Sequence, residues 1–188
     1  DAASQGHYKI VKILIENGAN INAKSKNGFT PLDAAILVEQ RKKLGTGISD
    51  LLRSQGARSG AETSLPVAAS LGDFQSIKKL LKAGSDINKP TSSGSTLLHI
   101  TASYGHKNAT ELLLDSGANI NATNDQGRTP LFEAVRSRKK DIVELLIANG
   151  ADINTDTGLH GLAWAYSYPD WSEEEQKQEK VRRSEKIE

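Results

Sequence analysis

Gly117-Ala118-Asn119-Ile120-Asn121, followed eight residues on by Thr129-Pro130-Leu131, decides how this chain folds. The first string returns as Gly150-Ala151-Asp152-Ile153-Asn154. It also occurs earlier, as Gly18-Ala19-Asn20-Ile21-Asn22 and Gly84-Ser85-Asp86-Ile87-Asn88. The leading glycines are 66, 33 and 33 residues apart. The second string belongs to its own series: Thr30-Pro31-Leu32, Thr63-Ser64-Leu65, Thr96-Leu97-Leu98 and Thr129-Pro130-Leu131, with a threonine every 33 residues. Two independent markers on one period define an array of like units.

Each unit divides into helix, helix and turn. Thr129 can cap a helix with its side-chain oxygen, and Pro130 is tolerated at the first helical position. The first helix is rich in small residues, as in Ala34-Ala35, Ala68-Ala69 and Ala134, so a neighbouring helix can approach closely. A glycine (Gly6, Gly72 or Gly105) then interrupts the chain. The second helix carries apolar residues at spacings of three and four, as in Ile142-Val143-Glu144-Leu145-Leu146-Ile147. It ends at the glycine of the first series. Asn124-Asp125-Gln126-Gly127 then suits a tight β-hairpin.

Thr30-Pro31-Leu32-Asp33-Ala34-Ala35, Thr96-Leu97-Leu98-His99-Ile100-Thr101-Ala102 and Thr129-Pro130-Leu131-Phe132-Glu133-Ala134 resemble the Thr-Pro-Leu-His-x-Ala signature of the ankyrin repeat. The resemblance covers about residues 1–156. It implies an all-α fold with short β-hairpin turns: a solenoid of stacked helix-turn-helix units with hairpin fingers along one edge. It also implies that His99 bonds the Thr96 hydroxyl and nearby backbone, tying finger to helix.

The pattern breaks in three places. The chain opens at Asp1-Ala2-Ala3-Ser4-Gln5-Gly6-His7, partway through a first helix, which suggests a fragment and an apolar face at that end. The second unit gains five residues near Glu39–Gly47 and loses five at Arg58–Glu62, so its finger is too short to form fully. A kink or a subdomain boundary is expected near residues 57–63, and the short connection favours a continuous stack. The last unit is degenerate. This divides the chain into N-terminal repeats at 1–57 (the first incomplete, the second with the insertion), three further repeats at 58–156, and a degenerate terminal repeat with a polar capping helix or tail at 157–188. Ser172-Glu173-Glu174-Glu175 reads as a capping box for that helix. Trp164, Tyr166, Tyr168 and Trp171 are read as the apolar end of the stack in preference to a ligand patch.

Composition narrows the chemistry. Of 188 residues, 24 are Lys or Arg and 23 Asp or Glu, so the net charge of +1 gives no general pull toward nucleic acid or anionic lipid. The absence of cysteine rules out disulfides, thiol catalysis and cysteine-bound metals. No apolar run approaches the ~20 residues of a membrane span. There is no phosphate loop, paired-histidine metal motif or nucleophile elbow. The repeat gives His7, His99, His106 and His160 structural positions, and no carboxylate pair converges in the sequence. Catalysis, cofactors and metals are therefore not expected. Sequons at Asn108 and Asn121 matter only in a secreted chain. A cytoplasmic monomer is the default expectation.

A protein partner is the expected ligand, because stacked units present a long concave face. The resemblance places contacts at finger tips and on the exposed side of the first helices. Lys26, Phe29, Ser95, Tyr104, Arg128 and Arg136 are the candidates. Phe29 and Tyr104 are open between partner anchor and local packing. Leu37 and Val38 fall on the same side and are candidates for burial by the insertion. Two alternatives remain: a regulatory or targeting region of a larger enzyme or of a host-directed bacterial effector, and nucleic-acid binding through Arg136-Ser137-Arg138-Lys139-Lys140. That run has no interleaved aromatic to stack a base. Arg138-Lys139 also stands where Gly-His is usual, a departure that folding alone does not explain at the level of sequence.

Overall fold

The computed structural model describes residues 2–5, 7–42, 45 and 47–153. His160, the four aromatics at 164–171 and the polar helix expected beyond Ser172 lie outside the described residues. The helices are α1 Ala2–Gln5, α2 Tyr8–Glu16, α3 Pro31–Lys42, α4 Ile48–Ser54, α5 Leu65–Leu71, α6 Phe74–Lys82, α7 Leu97–Tyr104, α8 Lys107–Asp115, α9 Pro130–Arg136 and α10 Lys140–Ala148. The odd-numbered helices form an inner layer, in which α1 packs on α3, α3 on α5, α5 on α7 and α7 on α9. In the outer layer α2 packs on α4, α6 on α8 and α8 on α10.

Small residues let the inner layer close. Ala35, Ala68, Ala69, Ala102 and Ala134 are fully buried, so helix backbones approach where a longer side chain would hold them apart. The outer helices bury one stripe each: Ile77 on α6, Leu113 on α8, Ile142 and Leu146 on α10. Buried apolar residues fall into two clusters. One runs from Ala61 to Ala151; the other holds Ala3, Val11, Leu32, Ala35, Ile48 and Leu52. Ile36 packs against both. On α2, Tyr8, Ile10, Ile13 and Leu14 are exposed.

Among the described residues no strand forms. Each full finger is a turn whose first residue donates to the last, Ser25 N–H to Phe29 O (2.9 Å), Thr91 N–H to Ser95 O (2.9 Å) and Asn124 N–H to Arg128 O (3.0 Å), and accepts from the turn glycine, Gly28, Gly94 or Gly127. The stack is stitched laterally by asparagines of the Gly-x-x-Ile-Asn string. Asn22 Oδ1 accepts from Arg58 N (2.7 Å), Asn88 Oδ1 from Asn119 N (2.8 Å) and Asn121 Oδ1 from Asp152 N (2.9 Å). The first stitch spans 36 residues and the other two 31. The five inserted residues account for the difference, since α3 runs to 12 residues against eight in α7.

The shortened finger is replaced by a single 3-10 turn, Gly60–Glu62. Asp33, which stands where α7 has His99, is fully buried and holds that turn in place. Its Oδ2 accepts from Thr30 N (2.7 Å), Thr30 Oγ1 (2.9 Å) and Gly60 N (2.9 Å), and its Oδ1 from Ser59 Oγ (2.5 Å). Four donors satisfy a carboxylate that no cation among the described residues reaches, which is the condition for burying it. Gly60 has no room for a side chain, because a Cβ there would overlap Gly28 O.

The Arg138-Lys139 departure keeps the left-handed turn of the other units. In α5–α6 and α7–α8 the turn uses Gly72 (φ 67°) and Gly105 (φ 82°) in the left-handed region. Arg138 takes the same conformation (φ 56°) and is the one non-glycine residue to do so among the described residues. Lys139 then lays its stem against Gly105, as His106 lays its ring against Gly72 one repeat earlier. The methylene chain covers the same spot that the imidazole covers.

Candidate functional site

The 33-residue period dictates what faces the concave side. Ala34, Val67, Ile100 and Glu133 share one position of the unit, and Leu37, Ser70, Ser103 and Arg136 another. The surface therefore changes character along the stack. Beside the first finger and α3 lies an apolar groove of about 540 Å³, whose lining includes Val11, Leu14, Phe29, Ala34, Leu37 and Val38. Between the second and third fingers, over α7 and α9, lies a polar cleft of about 460 Å³. Ser95, Ser103, Asn124, Arg128, Glu133 and Arg136 are among its walls.

Three of the six candidates, Ser95, Arg128 and Arg136, meet in the polar cleft. Phe29 lines the apolar groove and is half-buried, with its ring against the main core cluster, so packing accounts for much of it. Lys26 is exposed on the first finger. Tyr104 lies outside both clefts; its ring, 40% exposed, stacks on His106 with centroids 5.8 Å apart and planes 2° from parallel. Leu37 and Val38 are half-buried.

Glu133 organises the polar cleft. Its side chain is 8% exposed, and Arg136 donates to its Oε2 from Nε (2.9 Å) and Nη2 (2.7 Å). Arg128 Nη1 stands 3.6 Å from the other oxygen, and the guanidinium lies over the Phe132 ring, 5.2 Å from its centroid. Two cations thus share one carboxylate. The finger presenting Arg128 is shaped by Asn124, whose Oδ1 accepts from Gln126 N and Arg128 N, both at 3.0 Å. Sequence reasoning missed Glu133 as a site residue, although its i, i+3 spacing to Arg136 is a pairing signal.

His99 anchors the floor. Thr96 N–H donates to Nδ1 at 3.1 Å, so the ring's proton sits on Nε2, which donates to Arg128 O at 2.9 Å. The Thr96 hydroxyl lies 2.9 Å from Nδ1. The tie that the family resemblance implied is present, and it reaches the next finger directly beneath Arg128. Burial lowers the His99 pKa; the Arg128 carbonyl and the Glu133 charge oppose that shift. His106 is also lowered by burial, with the Ser70 carbonyl at 2.8 Å raising it and Lys139 lowering it further.

Among the described residues no group of three or more His, Asp or Glu could hold a metal ion. No described helix is long and apolar enough to cross a membrane. What the geometry defines is a helical repeat protein with a continuous inner surface of fingers and first helices. The family profile for "Ankyrin repeats (3 copies)" matches residues 65–157, and that for "Ankyrin repeats (many copies)" matches residues 1–40. A protein of Rickettsia bellii named "Putative ankyrin repeat protein" is 58% identical over 36 residues, which is 19% of this chain and 15% of that protein. The chain belongs to the ankyrin repeat family, whose repeats are in general protein-interaction modules.

Proposed function

We propose that this chain is a non-catalytic module that binds another protein through its fingers and inner helices. The observation that carries this reading is the polar cleft between the second and third fingers. There Ser95 of the second finger, Arg128 of the third finger and Arg136 of α9 line one cleft. Phe29 and Lys26 extend the contact surface along the first finger, and Tyr104 offers an aromatic face at its edge. A rigid surface of this kind loses little conformational freedom on binding, so a few well-placed groups suffice.

The test is site-specific photo-crosslinking in cell extract. A photoreactive residue at Ser103 on the inner side, or at Glu144 on the outer helix α10, would be compared for adducts. The reading requires a discrete adduct from Ser103 and none from Glu144. Equal labelling from both positions, or none from Ser103, would contradict it.

A further inference from the structure

We infer that the polar cleft is a subsite for a carboxylate side chain, Asp or Glu, carried on an extended segment of the partner. The inference rests on the inner-surface reading above and adds the chemistry of what is gripped.

Charge counting comes first. Arg128 and Arg136 share the single carboxylate of Glu133, so the three groups carry one net positive charge at the cleft wall. Asp125 lines the same cleft, its carboxylate beside Gly94 at the finger tip, so the lining as a whole is formally neutral and the positive charge is local to the two guanidinium groups. The second consideration is hydrogen-bonding capacity. Arg136 spends Nε and Nη2 on Glu133, and Arg128 reaches it only at 3.6 Å. Nη1 of Arg136 and Nε and Nη2 of Arg128 therefore have no hydrogen-bond partner among the described residues. Phe132 holds the Arg128 guanidinium flat from one side. Planar guanidinium groups with free edges match a carboxylate in shape and charge. Ser95 and Gln126 add neutral donors along the same wall, and Ser103, whose hydroxyl donates to Ile100 O, adds an acceptor.

The same features argue against a nucleic-acid backbone. Two guanidinium groups beside two carboxylates make no track of positive charge, whereas a phosphate chain needs many cations along one. The remaining basic residues of the run do not converge here: Lys139 lies along Gly105 on the turn between α9 and α10. No Phe, Tyr or Trp lines the cleft to stack a base, and the His99 ring is buried and held at both nitrogens.

The experiment is a 15N-resolved titration of the full chain with acetylated, C-terminally amidated Gly-Ser decapeptides. One carries a central Glu-Glu and one Gln-Gln; a third is Gly-Ser alone with a free C-terminal carboxylate. A single-stranded oligonucleotide of ten bases is the fourth arm. The Glu-Glu peptide is expected to shift Ser95, Ser103, Arg128 and Arg136, and to bind about tenfold more tightly than Gln-Gln. The free-terminus peptide is expected to bind more weakly than Glu-Glu. Arg136→Gln is expected to remove about tenfold of the Glu-Glu affinity with an unchanged circular dichroism spectrum. Equal binding of Glu-Glu and Gln-Gln, no shift with Glu-Glu at millimolar concentration, or tighter binding of the free-terminus peptide or the oligonucleotide would overturn the inference. If Glu-Glu fails while the Ser103 cross-link succeeds, the carboxylate subsite is wrong and the binding module stands. If both fail, both are wrong.

Discussion

Asp33 offers the sharpest test of how the irregular second unit is held. Replacing it with alanine strands the Thr30 and Gly60 N–H groups, which it now accepts at 2.7 and 2.9 Å in a fully buried site. The two hydroxyls lose their acceptor as well. A hydrogen bond to a charged group contributes about 1.5–3 kcal/mol, and a buried donor left unpaired costs about 1–3 kcal/mol. Relief of the buried charge offsets part of the loss, so the net for Asp33→Ala is about 3 kcal/mol. Asp33→Asn keeps an oxygen at the Oδ2 position for both N–H groups, and the Ser59 hydroxyl can turn to accept from the new amide. Its cost is about 1 kcal/mol. The assay is urea unfolding followed by circular dichroism, with both variants beside the parent chain. The same Asp33→Ala loss corresponds to a fall of about 6–12 °C in Tm for a chain of this size. Equal, small losses for both variants would show that the carboxylate does not hold the 3-10 turn.

Arg138→Gly is expected to raise stability by about 0.5 kcal/mol. The left-handed conformation costs a non-glycine residue about 1–2 kcal/mol, against about 0.5–1 kcal/mol for glycine's greater freedom when unfolded; a lower urea midpoint would contradict this. Gly72→Ala should destabilise clearly more than Gly117→Ala, because a Cβ on Gly72 meets the His106 ring while one on Gly117 meets nothing within 4 Å; thermal melts of the two variants decide it. Acid should weaken the fold through His99 and His106. Both are lowered from the ordinary 6.5, so their contribution is complete above that pH. It is lost as pH falls below 6.5 toward the folded values, where the unfolded chain takes up protons first. His99→Gln should flatten part of that slope in unfolding measured from pH 8 to 5. Tyr104→Ala is expected to weaken partner binding while leaving helicity intact, since Tyr104 is exposed and its ring stacks on His106; an unchanged Kd would remove Tyr104 from the site.

Much of this architecture was legible because it repeats. Thr96, Thr129 and the Gly-x-x-Ile-Asn strings mark helix starts and finger bases, and the asparagine stitches fall where their spacing requires. The five-residue gain and loss around the second unit were also visible, and the longer α3 and missing finger are their physical form. What could not be read were substitutions of role. Asp33 replaces a histidine by turning a different set of donors inward, and Lys139 replaces an imidazole with an alkyl stem. Neither exchange has a sequence signature, because each depends on what the neighbouring repeat presents. The site was partly legible for a related reason. The family resemblance placed Ser95, Arg128 and Arg136 on the inner side, but the convergence of the two arginines on Glu133 is a matter of side-chain reach.

The central claim is that function resides on the inner surface of the stack. Hydrogen exchange on the chain, free and bound to the partner captured by cross-linking, tests it most directly. The account predicts slowed exchange at residues 91–104 and 124–136, with residues 74–82, 107–115 and 140–148 on the outer helices unchanged. Protection confined to the outer helices would contradict it.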